Sequence, residues 1–124
     1  MRKRTLGALA ALLSSLALAF QVPETQLSLR TSYGGAVLEG RVSASRNDAL
    51  TGVWAGPGRA RLMRCAPLCT VVTSVPVQGL LVLSGDSAYR VALAGQFQAG
   101  QKISVTLKFQ NQGVVVAQAV VSRL

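Results

Sequence analysis

The chain has 124 residues, a length that allows one domain. Its 13 lysines and arginines and 4 acidic residues give a formal net charge of +9, but the basic residues are dispersed and aromatic residues make up only 5%. Nucleic-acid-binding proteins normally concentrate basic residues on one face and stack bases on aromatic side chains, so we expect no nucleic-acid partner.

The sequence contains no histidine. This excludes histidine-based acid–base catalysis, Ser-His and Cys-His nucleophile pairs, and the histidine ligands that zinc and Cu(II) usually take. The four carboxylates, at Glu24, Glu39, Asp48 and Asp86, are scattered and form no pair with a catalytic spacing. We therefore predict that the protein is not an enzyme.

The N-terminus has the pattern of a secretory signal peptide. A basic start at residues 1–4 (Met-Arg-Lys-Arg) precedes an apolar run over residues 6–20 and the Ala-Leu-Ala sequence at residues 17–19, which suits signal peptidase. A retained membrane anchor is the alternative, but the run of about 15 residues is shorter than the roughly 20 that span a bilayer. We predict that residues 1–19 are removed, that residues 20–26 form a tether, and that the mature protein is periplasmic or secreted without a stable membrane anchor.

Residues 27–124 show the patterns of β-strands separated by turns. Alternation is clearest at residues 101–109, where apolar side chains take one face and Lys, Ser and Thr take the other. The chain gives seven or eight short strands, at residues 27–33, 36–44, 50–54, 59–64, 70–77, 87–94, 101–109 and 114–121. Turn signals every 8–12 residues predict an all-β, antiparallel sandwich or barrel.

Two single residues carry further expectations. Pro76 cannot donate a hydrogen bond to a neighbouring strand, so we expect it at a sheet edge or a strand end. Trp54, the one tryptophan, is expected to pack in the core, with an exposed recognition surface as the alternative.

Cys65 and Cys69 are the two cysteines and lie four positions apart. In an exported protein they are expected to form a disulfide that fixes a tight hairpin. Two thiolates together with the thioether of Met63 would instead suit Cu(I), a soft cation. Thiol–disulfide exchange is a third reading, and the spacing alone leaves all three open.

Several segments resemble the periplasmic copper chaperone family written PCu(A)C, a small cupredoxin-like β-sandwich. Residues 47–53 (NDALTGV) are similar to the family's N-x-x-D-x-L-x-G-V, and residues 89–95 (YRVALAG) are similar to its Y-H-x-M-L-x-G. Residues 100–109 (GQKISVTLKF) are similar to its G-x-x-V-x-V-T-L-x-F. The resemblance covers most of residues 20–124 and implies an antiparallel, cupredoxin-like or immunoglobulin-like sandwich over residues 27–124.

The chain departs from the family at the copper ligands. The family binds Cu(I) through two His and two Met, and here Arg90 stands at one His position and Ala92 at one Met position. Neither a guanidinium nor a methyl group is a copper ligand. The other two ligands come from the hairpin that aligns with residues 61–73, where Met63 is the one matching donor. The inherited site is therefore absent.

The resemblance leaves three readings of the altered site. Met63, Cys65 and Cys69 would rebuild it for Cu(I), and Cys-x-x-x-Cys is also the copper-binding spacing of Sco-type assembly proteins. Alternatively, the scaffold has lost its metal and a disulfide ties the hairpin. A third reading is a cationic patch formed by Arg90 with neighbouring arginines, namely Arg59, Arg61 or Arg64, for an anionic ligand or partner. We expect a non-enzymatic, copper-chaperone-like protein with a copper-receiving envelope protein as its partner, or else a metal-free structural or partner-binding module of the cell envelope.

Overall fold

The computed structural model describes residues 23–56 and 58–122, and all regular elements in these ranges are β-strands. The predicted signal peptide lies outside the described residues. Among the described residues, no helix is long and apolar enough to cross a membrane. The strands, in chain order, are β1 (Glu24–Ser32), β2 (Gly35–Ser43), β3 (Asp48–Ala55), β4 (Gly58–Arg59), β5 (Arg61–Cys65), β6 (Cys69–Val71), β7 (Val75–Val77), β8 (Leu80–Leu83), β9 (Tyr89–Ala94), β10 (Lys102–Phe109) and β11 (Val114–Ser122).

The structure confirms the all-β prediction and divides the chain more finely than the sequence pattern did. The predicted strand at 70–77 is two strands, because β6 pairs with β5 whereas β7 pairs with β3. The predicted strand at 59–64 is likewise interrupted at Ala60, between β4 and β5. β8 is an additional strand beside β2. Pro76 lies on β7, which pairs with β3 and lies off the main strand order, as its missing N–H predicts.

One long, curled sheet contains these strands in the order β4-β3-β10-β11-β1-β2-β9-β5-β6, with β7 beside β3 and β8 beside β2. Most neighbours are antiparallel, as the sequence predicts, but β1 and β11 pair in parallel, so the sheet is mixed. Hairpins force antiparallel pairing between strands that follow one another. β1 and β11 come from opposite ends of the domain, and alternation along a strand does not reveal the direction of a distant partner.

The alternation of side chains divides the sheet into a buried face and an outer face. On β9, Val91 and Leu93 are buried, whereas Arg90 and Ala92 are half-buried on the outer face, as the sequence predicts. The largest fully buried side chains are Leu29, Leu38, Val42, Leu50, Val53, Val75, Val77, Leu83, Val91, Val105, Leu107 and Phe109.

Asp48, which begins β3, is the buried charged residue of the described chain. Its Oδ1 accepts hydrogen bonds from the backbone N–H of Ala49 at 2.7 Å and of Asn111 at 2.9 Å. Its Oδ2 accepts one from the N–H of Gln112 at 2.9 Å. The carboxylate therefore fixes the turn between β10 and β11 against the start of β3, through charge-assisted hydrogen bonds.

Replacing this carboxylate should destabilise the fold. In Asp48→Asn, an amide N–H₂ would face a backbone N–H, so we expect the free energy of unfolding to fall by about 2 kcal/mol. Urea unfolding followed by circular dichroism measures the change. Asp86→Asn is the matched control, because Asp86 is exposed, and it should change stability by less than about 0.5 kcal/mol. Equal effects of the two substitutions would contradict the role given to Asp48.

Candidate functional site

The hairpin formed by β5 and β6 carries the predicted cysteine pair. Cys65 and Cys69 face each other across the hairpin with Cα atoms 3.9 Å apart, and a disulfide joins them, as the first reading of the sequence predicts. The backbone N–H of Cys65 donates to the carbonyl oxygen of Ala88 at 2.6 Å, which attaches the hairpin to the segment before β9. The tip is exposed to solvent, with Leu68 at 79% exposure.

Met63 lies on the same face of the hairpin as the two cysteines. It precedes Cys65 by two residues on β5, and side chains two positions apart on a strand point to the same side. Its directly opposed neighbours are Val71 on β6 and Arg90 on β9. The topology therefore brings the predicted sulfur donors together with Arg90 on one patch of the outer face.

Arg90 is held beside the disulfide by two contacts. Its Nε donates a hydrogen bond to the carbonyl oxygen of Ser87 at 3.0 Å, and its Nη1 lies 3.9 Å from Sγ of Cys69. Ser87 is itself fixed by Ser84, because each backbone N–H donates to the other residue's hydroxyl oxygen at 3.0 Å. The guanidinium is therefore positioned by a hydrogen-bonded turn.

Ala92 forms part of the floor of a cleft next to this patch. Ala92 is directly opposite Val37 on β2 and directly opposite Arg61 on β5. The short side chains of Ala92 and Val37 therefore lie side by side, next to the long side chain of Arg61. The cleft has a volume of about 430 Å³, and its lining includes Met63, Arg90 and Ala92. Arg90 and Ala92 stand at copper-ligand positions of the family that the sequence resembles. They line the same cleft as the thioether of Met63.

The donor set decides what this arrangement can bind. Within the described residues, no three His, Cys, Asp or Glu side chains are grouped closely enough to hold a metal ion. With Cys65 and Cys69 in a disulfide, Met63 is the remaining soft donor in the patch. A soft metal site here therefore requires that the disulfide first be reduced to thiolates.

Trp54 lies outside the core, so the prediction of core packing is wrong. It is half-buried on β3, and a Cβ atom added at Gly52 would overlap its ring. The guanidinium carbon of Arg59 lies 5.4 Å from the ring centroid on a neighbouring strand, within range of a cation–π interaction. Because Gly52 has no side chain, the Trp54 ring can lie over it on the outer face. The Gly-x-Trp spacing in the sequence could have indicated this position.

Comparison with known proteins places this geometry in a known fold. No family model matches the sequence, and no curated protein matches it. Among solved structures, the copper-bound PCuAC domain from PmoF2 aligns with a TM-score of 0.64 at 20% identity, covering 85% of this chain and 97% of that one. The apo PCuAC domain from PmoF1 aligns with a TM-score of 0.62 at 21% identity, covering 85% and 98%. The apo PCuAC domain from PmoF2 gives 0.63 at 19%, covering 83% and 95%.

This chain has the PCuAC fold. The PCuAC fold is the cupredoxin-like β-sandwich that the sequence resemblance implies, and the described strands form it as one curled, mixed sheet. Identities near 20% establish the architecture alone, so the ligand chemistry must be argued from this chain's own side chains.

The disulfide should stabilise the PCuAC fold measurably. Closing the short loop between Cys65 and Cys69 restricts the unfolded chain, and on the chain-entropy model we expect Cys65→Ser/Cys69→Ser to lower the free energy of unfolding by about 2 kcal/mol. Urea unfolding of the oxidised wild type and of the double variant measures this loss. Dithiothreitol should bring the wild type to the stability of the variant and leave the variant unchanged. A reductant effect on both proteins would show that the disulfide is not its cause.

Proposed function

We propose that this protein is a non-enzymatic, extracytoplasmic copper-chaperone-like protein that binds Cu(I) through Met63, Cys65 and Cys69 when the disulfide is reduced. It would pass the ion to a copper-receiving protein of the cell envelope. The observation that supports this proposal is the placement of all three sulfur-bearing residues on one face of one hairpin. The fold adds support, since a structure with the same architecture is described as a copper-bound PCuAC domain.

The chemistry of the donors fits Cu(I). Reduction of the disulfide takes two electrons and two protons, and an envelope dithiol protein, itself oxidised to a disulfide, would supply both. Metal binding then releases the two protons, because thiolates rather than thiols coordinate metals. Two thiolates and a thioether form a soft donor set that favours Cu(I) over harder divalent ions.

Arg90 has a role in this site that does not require it to be a ligand. Cu(I) bound by two thiolates carries a net charge of −1. The Nη1 atom of Arg90 lies 3.9 Å from Sγ of Cys69, so the guanidinium is placed to offset that charge. Arginine at this position is therefore compatible with copper binding through sulfur, although it replaces a metal ligand of the family that the sequence resembles.

A Cu(I) competition titration of residues 20–124 tests the proposal. We expect one Cu(I) per reduced protein, with no binding by the oxidised protein and none by Cys65→Ser/Cys69→Ser, because both lack the thiolates. If the reduced wild type takes up no more copper than the double variant, the copper proposal fails.

Met63→Leu isolates the thioether. Leucine retains an apolar side chain of similar size, so the fold should persist while the affinity for Cu(I) falls by about tenfold, equivalent to the loss of about 1.4 kcal/mol of binding free energy. The same competition titration measures this change. An unchanged affinity would remove Met63 from the proposed site and leave a two-thiolate complex.

A metal-free, partner-binding module of the cell envelope is the second candidate. Its support is the disulfide-tied hairpin itself, which presents Leu68 at 79% and Val71 at 70% exposure. Exposed apolar side chains on a rigid hairpin are suited to contact a partner protein. Failure of the copper titration would favour this candidate.

A further inference from the structure

Two adjoining clefts form one groove on the outer face of β9 and β2. The cleft that contains Met63 and Arg90 and a second cleft of about 270 Å³ that contains Arg59 and Arg61 share Val37 and Ala92 in their linings. We call this groove the arginine groove. Four arginines line it, each from a different strand: Arg30 on β1, Arg59 on β4, Arg61 on β5 and Arg90 on β9.

The strand register explains why these arginines meet. Arg61 is directly opposite Ala92, and Arg90 lies two residues before Ala92 on the same face. Arg59 precedes Arg61 by two residues and is held over the ring of Trp54. Arg64 is on the opposite face, since it is an odd number of residues from Arg61, and so it is not part of the groove. The cationic-patch reading of the sequence therefore applies to Arg59, Arg61 and Arg90.

The guanidinium groups of the groove have spare hydrogen-bonding capacity. Within residues 23–56 and 58–122, the ion pair is Arg30 Nε with Glu39 Oε1 at 2.9 Å, and no carboxylate lies within 4.0 Å of Arg59, Arg61 or Arg90. Arg90 uses its Nε for Ser87, whereas its terminal nitrogens have only the weak sulfur contact. Arg59 Nη2 makes a long hydrogen bond of 3.5 Å to the carbonyl oxygen of Thr51. The remaining guanidinium N–H groups are available to bind oxyanions, for which the planar guanidinium fork is suited.

Two acidic residues line the same groove and determine where an anion can lie. Glu39 is neutralised by Arg30, but Asp86 has no such partner among the described residues. An anion would be repelled by Asp86. It should therefore lie over Ala92, between Arg61 and Arg90.

We propose that the arginine groove binds a small organic acid with two or three carboxylates. One carboxylate would be bound by Arg61, with Arg59 beside it, and another by Arg90. A ligand with two separated carboxylates fits because Arg61 and Arg90 line two different, adjoining clefts. Anion binding in this groove requires no metal and no reduction of the disulfide, so it is a function separate from the proposed copper binding.

Isothermal titration of oxidised, copper-free residues 20–124 with citrate, succinate and inorganic phosphate, at constant ionic strength, tests the proposal. We expect citrate to bind more tightly than phosphate by about tenfold or more, because phosphate occupies one arginine fork at a time. Arg61→Gln and Arg90→Gln should each weaken citrate binding by about tenfold. Arg41→Gln is the matched control: it removes one positive charge from another part of the outer face, and citrate affinity should change by less than about twofold.

Asp86→Asn tests where the anion lies, because this substitution is expected to raise the citrate affinity instead of lowering it. Removing the repelling charge should strengthen citrate binding by about twofold to fivefold. The emission of Trp54, the chain's one tryptophan, gives a second readout, because a carboxylate that draws Arg59 away from the ring alters the ring's surroundings.

Three results would overturn the proposal. The first is an absence of citrate binding at about 10 mM, a concentration far above that needed by a specific site. The second is a loss of citrate affinity in Arg41→Gln as large as that in Arg61→Gln, which would indicate attraction by net charge alone. The third is phosphate binding as tight as citrate binding, which would indicate a site for a single anionic group. Because the protein is oxidised and free of copper, each of these results leaves the outcome of the Cu(I) titration unaffected.

Discussion

The parallel pairing of β1 with β11 is the constraint on which the rest of the structure depends. Among the described strands, this pairing is the one strand-to-strand link between two parts of the sheet. One part contains β3, β4, β7, β10 and β11, and the other contains β1, β2, β5, β6, β8 and β9. Leu29 and Val121 face each other at this junction and are both buried. The hydrogen bonds and the burial together join the N-terminal and C-terminal strands of the domain.

The candidate site depends on this junction indirectly, through β2 and β9. β1 aligns β2 over its whole length, β2 pairs with β9, and β9 pairs with β5, the first strand of the disulfide hairpin. Each step fixes the register of the next, so Arg90 lies opposite Met63 and Ala92 lies opposite Arg61. Asp48 acts in the other part of the sheet, where its carboxylate holds the turn between β10 and β11.

Arg90 links the two chemistries that we propose for the outer face. Its guanidinium lies beside Cys69, where it would balance the charge of a copper–thiolate complex, and it also lines the arginine groove. In the oxidised protein, the sulfur atoms are neutral and the positive charge is available to an anion. In the reduced, copper-bound protein, the same charge is partly offset by the metal site. Both proposals follow from one permanent cation placed among soft donors and short side chains.

The sequence by itself determined the all-β class, the inward and outward faces of β9 and β10, and the restriction of Pro76 to a sheet edge or a strand end. These features depend on local alternation and on residue chemistry, which the sequence displays directly. Only the tertiary structure decided the parallel closure at β1, the outward position of Trp54 and the choice of Arg59 and Arg61 over Arg64 as companions of Arg90. Those features depend on register between distant strands, because a shift of one residue moves every side chain to the other face.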